Sequence, residues 1–186
     1  RRRTLRATTK LGTYCLIVLA ALLSLPAARP ASAQSDAASR HRELARDIFR
    51  ELIEINTTHQ FGSTKAAEAI ATRLRAVGFE GADLQVVGPR TDRQNVVARL
   101  RGNGKAAPIL FIAHLDVVEA RKEDWSPNLD PFKFVEKDGY FYGRGTQDMK
   151  ASAAIIATDF IRWKEQKWVP ARDLVMALTA DEELYG

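Results

Sequence analysis

Apolar residues recur at Leu44, Ile48, Leu52 and Ile55, with Arg and Glu filling the positions between them. Spacing of three and four predicts an amphipathic helix over residues 39–55, ended by Asn56-Thr57-Thr58. A second stripe, Ala67, Ile70, Ala71, Leu74 and Val77, predicts a helix from a Ser63 or Thr64 cap to about residue 77. Gly78 then stands where a left-handed stop is wanted. The pattern next breaks into short runs at 84–87, 95–100 and 109–113, which read as strands. Gly102-Asn103-Gly104 separates the last two and predicts a tight turn joining an antiparallel pair. Residues 132–135 and 140–142 flank Lys137-Asp138-Gly139 as a hairpin whose aromatics serve packing. Residues 146–163 form a helical pattern, with Ala151, Ala154, Ile155, Thr158 and Ile161 on its buried face. Residues 174–180 are apolar without alternation, as in a central strand. Strands interleaved with helices predict an α/β fold: a central mixed sheet with helices on both faces.

Charge changes the picture at one end only. The 186 residues carry a formal net charge of +5, but residues 1–33 hold Arg1, Arg2, Arg3, Arg6, Lys10 and Arg29 and no acid. Without them 22 basic residues face 23 acidic ones, a net charge of −1. The basic excess is therefore no argument for a nucleic-acid partner. That segment has the order of a secretory signal: a basic start, an apolar run over 11–25, and Ala31-Ser32-Ala33 as a cleavage site. The run is shorter than the ~20 residues of a membrane span. Removal after Ala33 predicts a secreted or periplasmic protein with no stable membrane span. Cys15, the only cysteine, leaves with the signal, so no disulfide is expected. Residues 34–43 are polar and small and read as a mobile linker.

Ionisable residues gather where apolar runs end. His114 and Asp116 close the run at 109–113, and Asp181, Glu182 and Glu183 close the run at 174–180. Asp148 sits between the Gly-rich turn Tyr142-Gly143-Arg144-Gly145 and an Ala-rich helix. One imidazole with several carboxylates and no thiolate suits a hard or borderline metal. The residue types alone leave two readings open: a metal site, or a satisfied histidine beside solvated acids. His114 and Asp116 are two apart, so along a strand they point the same way, and Asp116 can accept a hydrogen bond from the imidazole. Glu182 and Glu183 are adjacent, and in an extended segment they face opposite ways.

Taken together, strand-His114-x-Asp116, Tyr142-Gly143-Arg144-Gly145-x-x-Asp148-Met149-Lys150 and strand-Asp181-Glu182-Glu183 resemble the di-zinc exopeptidase family. That family includes acetylornithine deacetylase, succinyl-diaminopimelate desuccinylase, aminoacylase and glutamate carboxypeptidase. The motifs stand in family order, and the resemblance covers roughly residues 44–186. It implies two zinc ions per complete active site, with cobalt or manganese able to replace them. His114 is then a metal ligand with Asp116 as its orienter, Asp148 the carboxylate bridging both ions, Glu183 a ligand and Glu182 the general base. The resemblance also implies a cis peptide bond at Asp148–Met149. Each ion would lack a third protein ligand; the family's further acidic residue and histidine come from downstream, and His41 and His59 do not match that histidine. Residues 44–186 thus read as the N-terminal part of a metallopeptidase catalytic domain, truncated and inactive alone. The missing part includes the smaller domain through which relatives form homodimers. The implied function is hydrolysis of a peptide or amide bond in a small peptide or N-acyl amino acid. The alternative is a non-catalytic secreted binding domain that keeps the metal motifs as relics. Arg144 is expected to support its loop, and Asp181 to be a solvated acid.

Overall fold

The computed structural model describes residues 31–185, so the expected signal, including Cys15, lies almost wholly outside the described residues. Helix α1 spans Ala31–Glu54 and α2 spans Thr64–Ala76. Strands β1 (Leu84–Arg90), β2 (Arg93–Leu100) and β3 (Ile109–His114) follow, then the short β4 (Val135–Lys137) and β5 (Tyr140–Tyr142). Helix α3 (Lys150–Glu165), β6 (Leu174–Thr179) and the single-turn α4 (Glu182–Tyr185) complete the order. Residues 34–43, expected as a linker, lie within α1; they contain neither Gly nor Pro to break a helix. Among the described residues no helix is long and apolar enough to cross a membrane.

The main sheet has the order β1-β2-β6-β3, with β3 parallel to β6 and the other pairs antiparallel. It is mixed, as expected, and β6 is interior. The expected pairing of β2 with β3 does not form, because β6 lies between them. The reason is visible in the connection: Gly102 N–H donates to Asp173 Oδ1 at 2.8 Å, Asn103 N–H to Pro170 O and Ala106 N–H to Ala171 O. These bonds fasten 101–108 to the segment entering β6 instead of reversing the chain upon β2.

Register explains the core. Leu84, Ala98, Met176 and Phe111 are cross-strand neighbours on one face. The first three are buried there, and Phe111 meets Phe160 of α3 edge-on at 6.1 Å. Helix α2 packs on β1 and β2, α3 on β3 and β6, and the two helices touch. Among the described residues both therefore share this face. On the opposite face Leu110 and Ile112 of β3 are 57% and 59% exposed, although their run reads as a buried strand. α3 begins at Lys150, not 146, and turns Ile155 outward while Ala153, Ala157 and Phe160 are buried.

Two small-residue signals act differently from their usual use. Ser63 precedes α2, but its hydroxyl donates to Gln94 O, and Thr64 Oγ1 donates to Thr91 O while accepting from Gln94 N–H. Both fasten the helix start to the β1–β2 hairpin. Gly78 is left-handed (φ +90°) and ends α2 as expected. The β4–β5 hairpin forms, turning through Asp138 and Gly139, and Phe134 and Phe141 pack edge-on against Phe49 of α1.

Candidate metal centre

His114 is the last residue of β3 and is 4% exposed. Its Nδ1 lies 3.0 Å from the backbone carbonyl of Asp116. A carbonyl only accepts, so Nδ1 carries the proton and Nε2 is left as the outward nitrogen. Nε2 stands 3.0 Å from Asp148 Oδ1 and 3.7 Å from Glu182 Oε2. With Nδ1 already the donor, an imidazole lone pair facing a carboxylate this closely calls for a proton or a cation between them. His114, Asp148 and Glu183 each offer a ligand atom within 4.8 Å of the others. One nitrogen and several carboxylate oxygens are a donor set that fits zinc or a similar divalent ion.

The three donors arrive from separate elements. Asp148 is held at the end of a loop that turns through Gly143 (φ +155°) and Gly145 (φ +85°). A Cβ on Gly145 would lie 2.8 Å from Val117 Cγ1, so glycine is required for space as well as for conformation. The Asp148–Met149 peptide bond is cis, as the resemblance implies. Arg144 supports the loop: its guanidinium lies over the Trp125 ring and donates to Glu119 O at 3.4 Å. An open cavity of about 830 Å³ adjoins the donors, lined by Trp125, Arg144, Asp148 and Glu183 among others.

Asp116 is placed otherwise than expected. Its backbone carbonyl, not its carboxylate, takes the imidazole N–H; the nearer carboxylate oxygen is 3.6 Å from Nδ1. The carboxylate instead accepts from Glu182 N–H (Oδ1, 3.1 Å) and Glu183 N–H (Oδ2, 3.0 Å). The reason is that residues 182–185 are helical, and a helix start has unsatisfied N–H groups. For the same reason Glu182 and Glu183 do not face opposite ways, and both lie beside the cluster. Asp181 is not a solvated acid: it pairs with buried Arg93 at 2.5 Å.

Two further residues carried no role in the sequence reading. Lys150 is fully buried, and its Nζ donates to Leu52 O at 2.7 Å and Ile55 O at 2.8 Å at the end of α1. Burial pushes its ammonium down to about 7, with Asp116 acting in the other direction. Thr57 Oγ1 donates to Leu115 O at 2.7 Å, tying the α1–α2 loop to the end of β3. His59 meets Arg93, and His41 lies 3.5 Å from Glu165, so neither joins the metal cluster.

Residues 110–186 match the model of Peptidase family M20/M25/M40. This stretch resembles a Peptidase M20 family domain. The chain is 35% identical over 124 residues to acetylornithine deacetylase of Vibrio parahaemolyticus, which covers 66% of this chain and 30% of that protein. It is 42% identical over 93 residues to a probable succinyl-diaminopimelate desuccinylase of Staphylococcus aureus, 49% of this chain and 22% of that one. The chain thus spans about a third or less of these relatives. The fold recurs in human carnosine dipeptidase 1, with a TM-score of 0.65 at 19% identity over 82% of this chain and 34% of that one. It also recurs in a Bacillus subtilis dinuclear metal binding peptidase of the M20 family, with a TM-score of 0.53 at 17% identity over 79% and 37%.

Proposed function

We propose that the intact protein, exported by residues 1–33, hydrolyses a peptide or amide bond in a small peptide or N-acyl amino acid with the help of two zinc ions. The observation that carries this reading is the convergence of His114, Asp148 and Glu183 within 4.8 Å, with Glu182 beside them. Relatives named as deacetylase, desuccinylase and dipeptidase support the bond class. His114 and Asp148 would hold one ion and Asp148 and Glu183 the other. When bound, such ions lower the pKa of a water towards ~7 and polarise a carbonyl oxygen. Glu182 takes the proton of the attacking water on its carboxylate and passes it to the leaving nitrogen as the C–N bond breaks. Asp116 keeps both glutamates in place through their amides and gives His114 its tautomer through its own carbonyl.

Substitution of each glutamate in the full-length protein separates proton transfer from metal holding. Glu182→Gln cannot accept the proton, and turnover falls about 10²–10⁴-fold with metal content unchanged. Glu183→Gln loses metal first, and excess zinc restores part of the activity. Metal loss in Glu182→Gln with metal kept in Glu183→Gln would reverse the two roles. A screen of dipeptides against N-acyl amino acids assigns the substrate class. A metal-loaded full-length protein that turns over neither supports the non-catalytic alternative.

A further inference from the structure

The two glutamates begin a four-residue helix, and Glu182 has a half-exposed side chain, so their aim depends on how the backbone beneath them is held. Continuing the β2–β6 register past Val96↔Leu178 sets Arg93 across from Asp181. There the guanidinium, 7% exposed, donates through Nη1 to Asp181 Oδ1 (2.5 Å) and to His59 Nδ1 (2.8 Å), and through Nη2 to His59 O (2.7 Å). Two residues along the strand, Asn95 Oδ1 accepts from Ala180 N–H at 2.8 Å. From just past the end of β3, the other neighbour of β6, comes Asp116, whose carboxylate accepts from the amides of Glu182 and Glu183. Each of residues 180–183 is thus fixed by a side chain from β2 or from the segment just past the end of β3, and Asp181 is held in a left-handed conformation (φ +61°).

We propose that Arg93 is a positioning residue for the proposed hydrolysis: by tying Asp181 to the α1–α2 loop it sets the direction of Glu182 and Glu183. Asp116 fixes two amides but leaves the chain free to pivot at residue 181. Arg93 removes that freedom, and its second anchor at His59 is independent of the turn. Misplacing a reacting group by about 1 Å costs on the order of 10²-fold in rate. The inference rests on the reading of Glu182 and Glu183 above, so its test has one arm that needs no turnover.

The full-length protein is compared with Arg93→Met, Arg93→Lys, Asp181→Asn and the double variant Arg93→Met/Asp181→Asn. Asparagine tolerates the left-handed backbone, so Asp181→Asn removes the charge without new strain and serves if Arg93→Met fails to fold. In the metal-free protein, amide exchange over residues 181–183 quickens at least tenfold in Arg93→Met and Asp181→Asn, with the core strands still protected. In the metal-loaded protein, kcat falls about 10²-fold with KM within about twofold. Arg93→Lys recovers part of the loss, and the double variant loses no more than the worse single. Unchanged exchange over 181–183 overturns the proposal, as do multiplicative losses in the double variant or a loss confined to KM. A wild-type protein that hydrolyses neither substrate class refutes the proposed function, while the exchange arm still decides the positioning role.

Discussion

Lys150 is a charge-bearing group with no carboxylate bond, buried beside the loop that carries Asp148. Its Nζ meets two carbonyls at the C-terminal end of α1, where a cation is welcome, yet burial lowers its pKa from 10.5 to about 7. The unfolded chain therefore keeps this proton up to about 10.5, while the folded chain gives it up near 7. Between those values the unfolded state binds more protons, and stability from this group rises with pH. In chelator, the unfolding free energy of wild type should rise from pH 7 to pH 9 relative to Lys150→Met, which lacks the titrating group. Parallel curves would mean that the two carbonyls keep the ammonium charged in the fold. His114, Asp148 and Glu183 were legible as candidates through the resemblance of their three motifs, since their types alone left a metal site and a satisfied histidine both open. Lys150 and Arg93 were not. Lys150 finds its partners in backbone carbonyls, and Arg93 in a residue 88 positions away, and neither leaves a spacing pattern.

The element that brings Asp148 to the cluster is the turn through residues 143–149. Its shape was legible from Gly143 and Gly145, because only glycine suits their backbone angles. Gly145 adds a steric demand that Gly139 lacks: a Cβ at Gly139 (φ +80°) would meet nothing within 4 Å. Alanine at Gly139 therefore costs only the left-handed conformation, about 1–2 kcal/mol. Alanine at Gly145 adds the contact with Val117, and its thermal midpoint should fall further than that of Gly139→Ala. Equal shifts would show that the turn yields without disturbing Val117. Strand order was less legible. The spacing of β2 and β3 suggests a hairpin, but a strand 74 residues later takes the place between them. Local turn chemistry cannot report a competitor so far along the chain; the bonds from Gly102, Asn103 and Ala106 to the β6 approach decide the matter. The same limit explains β3: its apolar run looks buried on both faces, yet one face carries exposed Leu110 and Ile112 among the described residues.

At the scale of the molecule, the candidate ligands come from the end of β3, the loop before α3 and the turn after β6, so a bound cation would tie the loop before α3 to two strand ends that already pair through their backbones. An ion that binds the folded state alone stabilises it by about 2.7 kcal/mol at a hundredfold excess over Kd. Zinc should therefore raise the thermal midpoint of the full-length protein, and a chelator should reverse the rise. Asp148→Asn should remove most of the shift, because Asp148 is the proposed ligand common to both ions. Glu182→Gln should keep it, because Glu182 is assigned to the proton and not to the metal. Cross-linking also explains why the turn after β6 is held so firmly by Arg93, Asn95 and Asp116 before any ion is considered: a ligand fixed in advance loses less entropy on binding. A zinc shift of equal size in Asp148→Asn and wild type would move the metal away from this cluster and take the proposed chemistry with it.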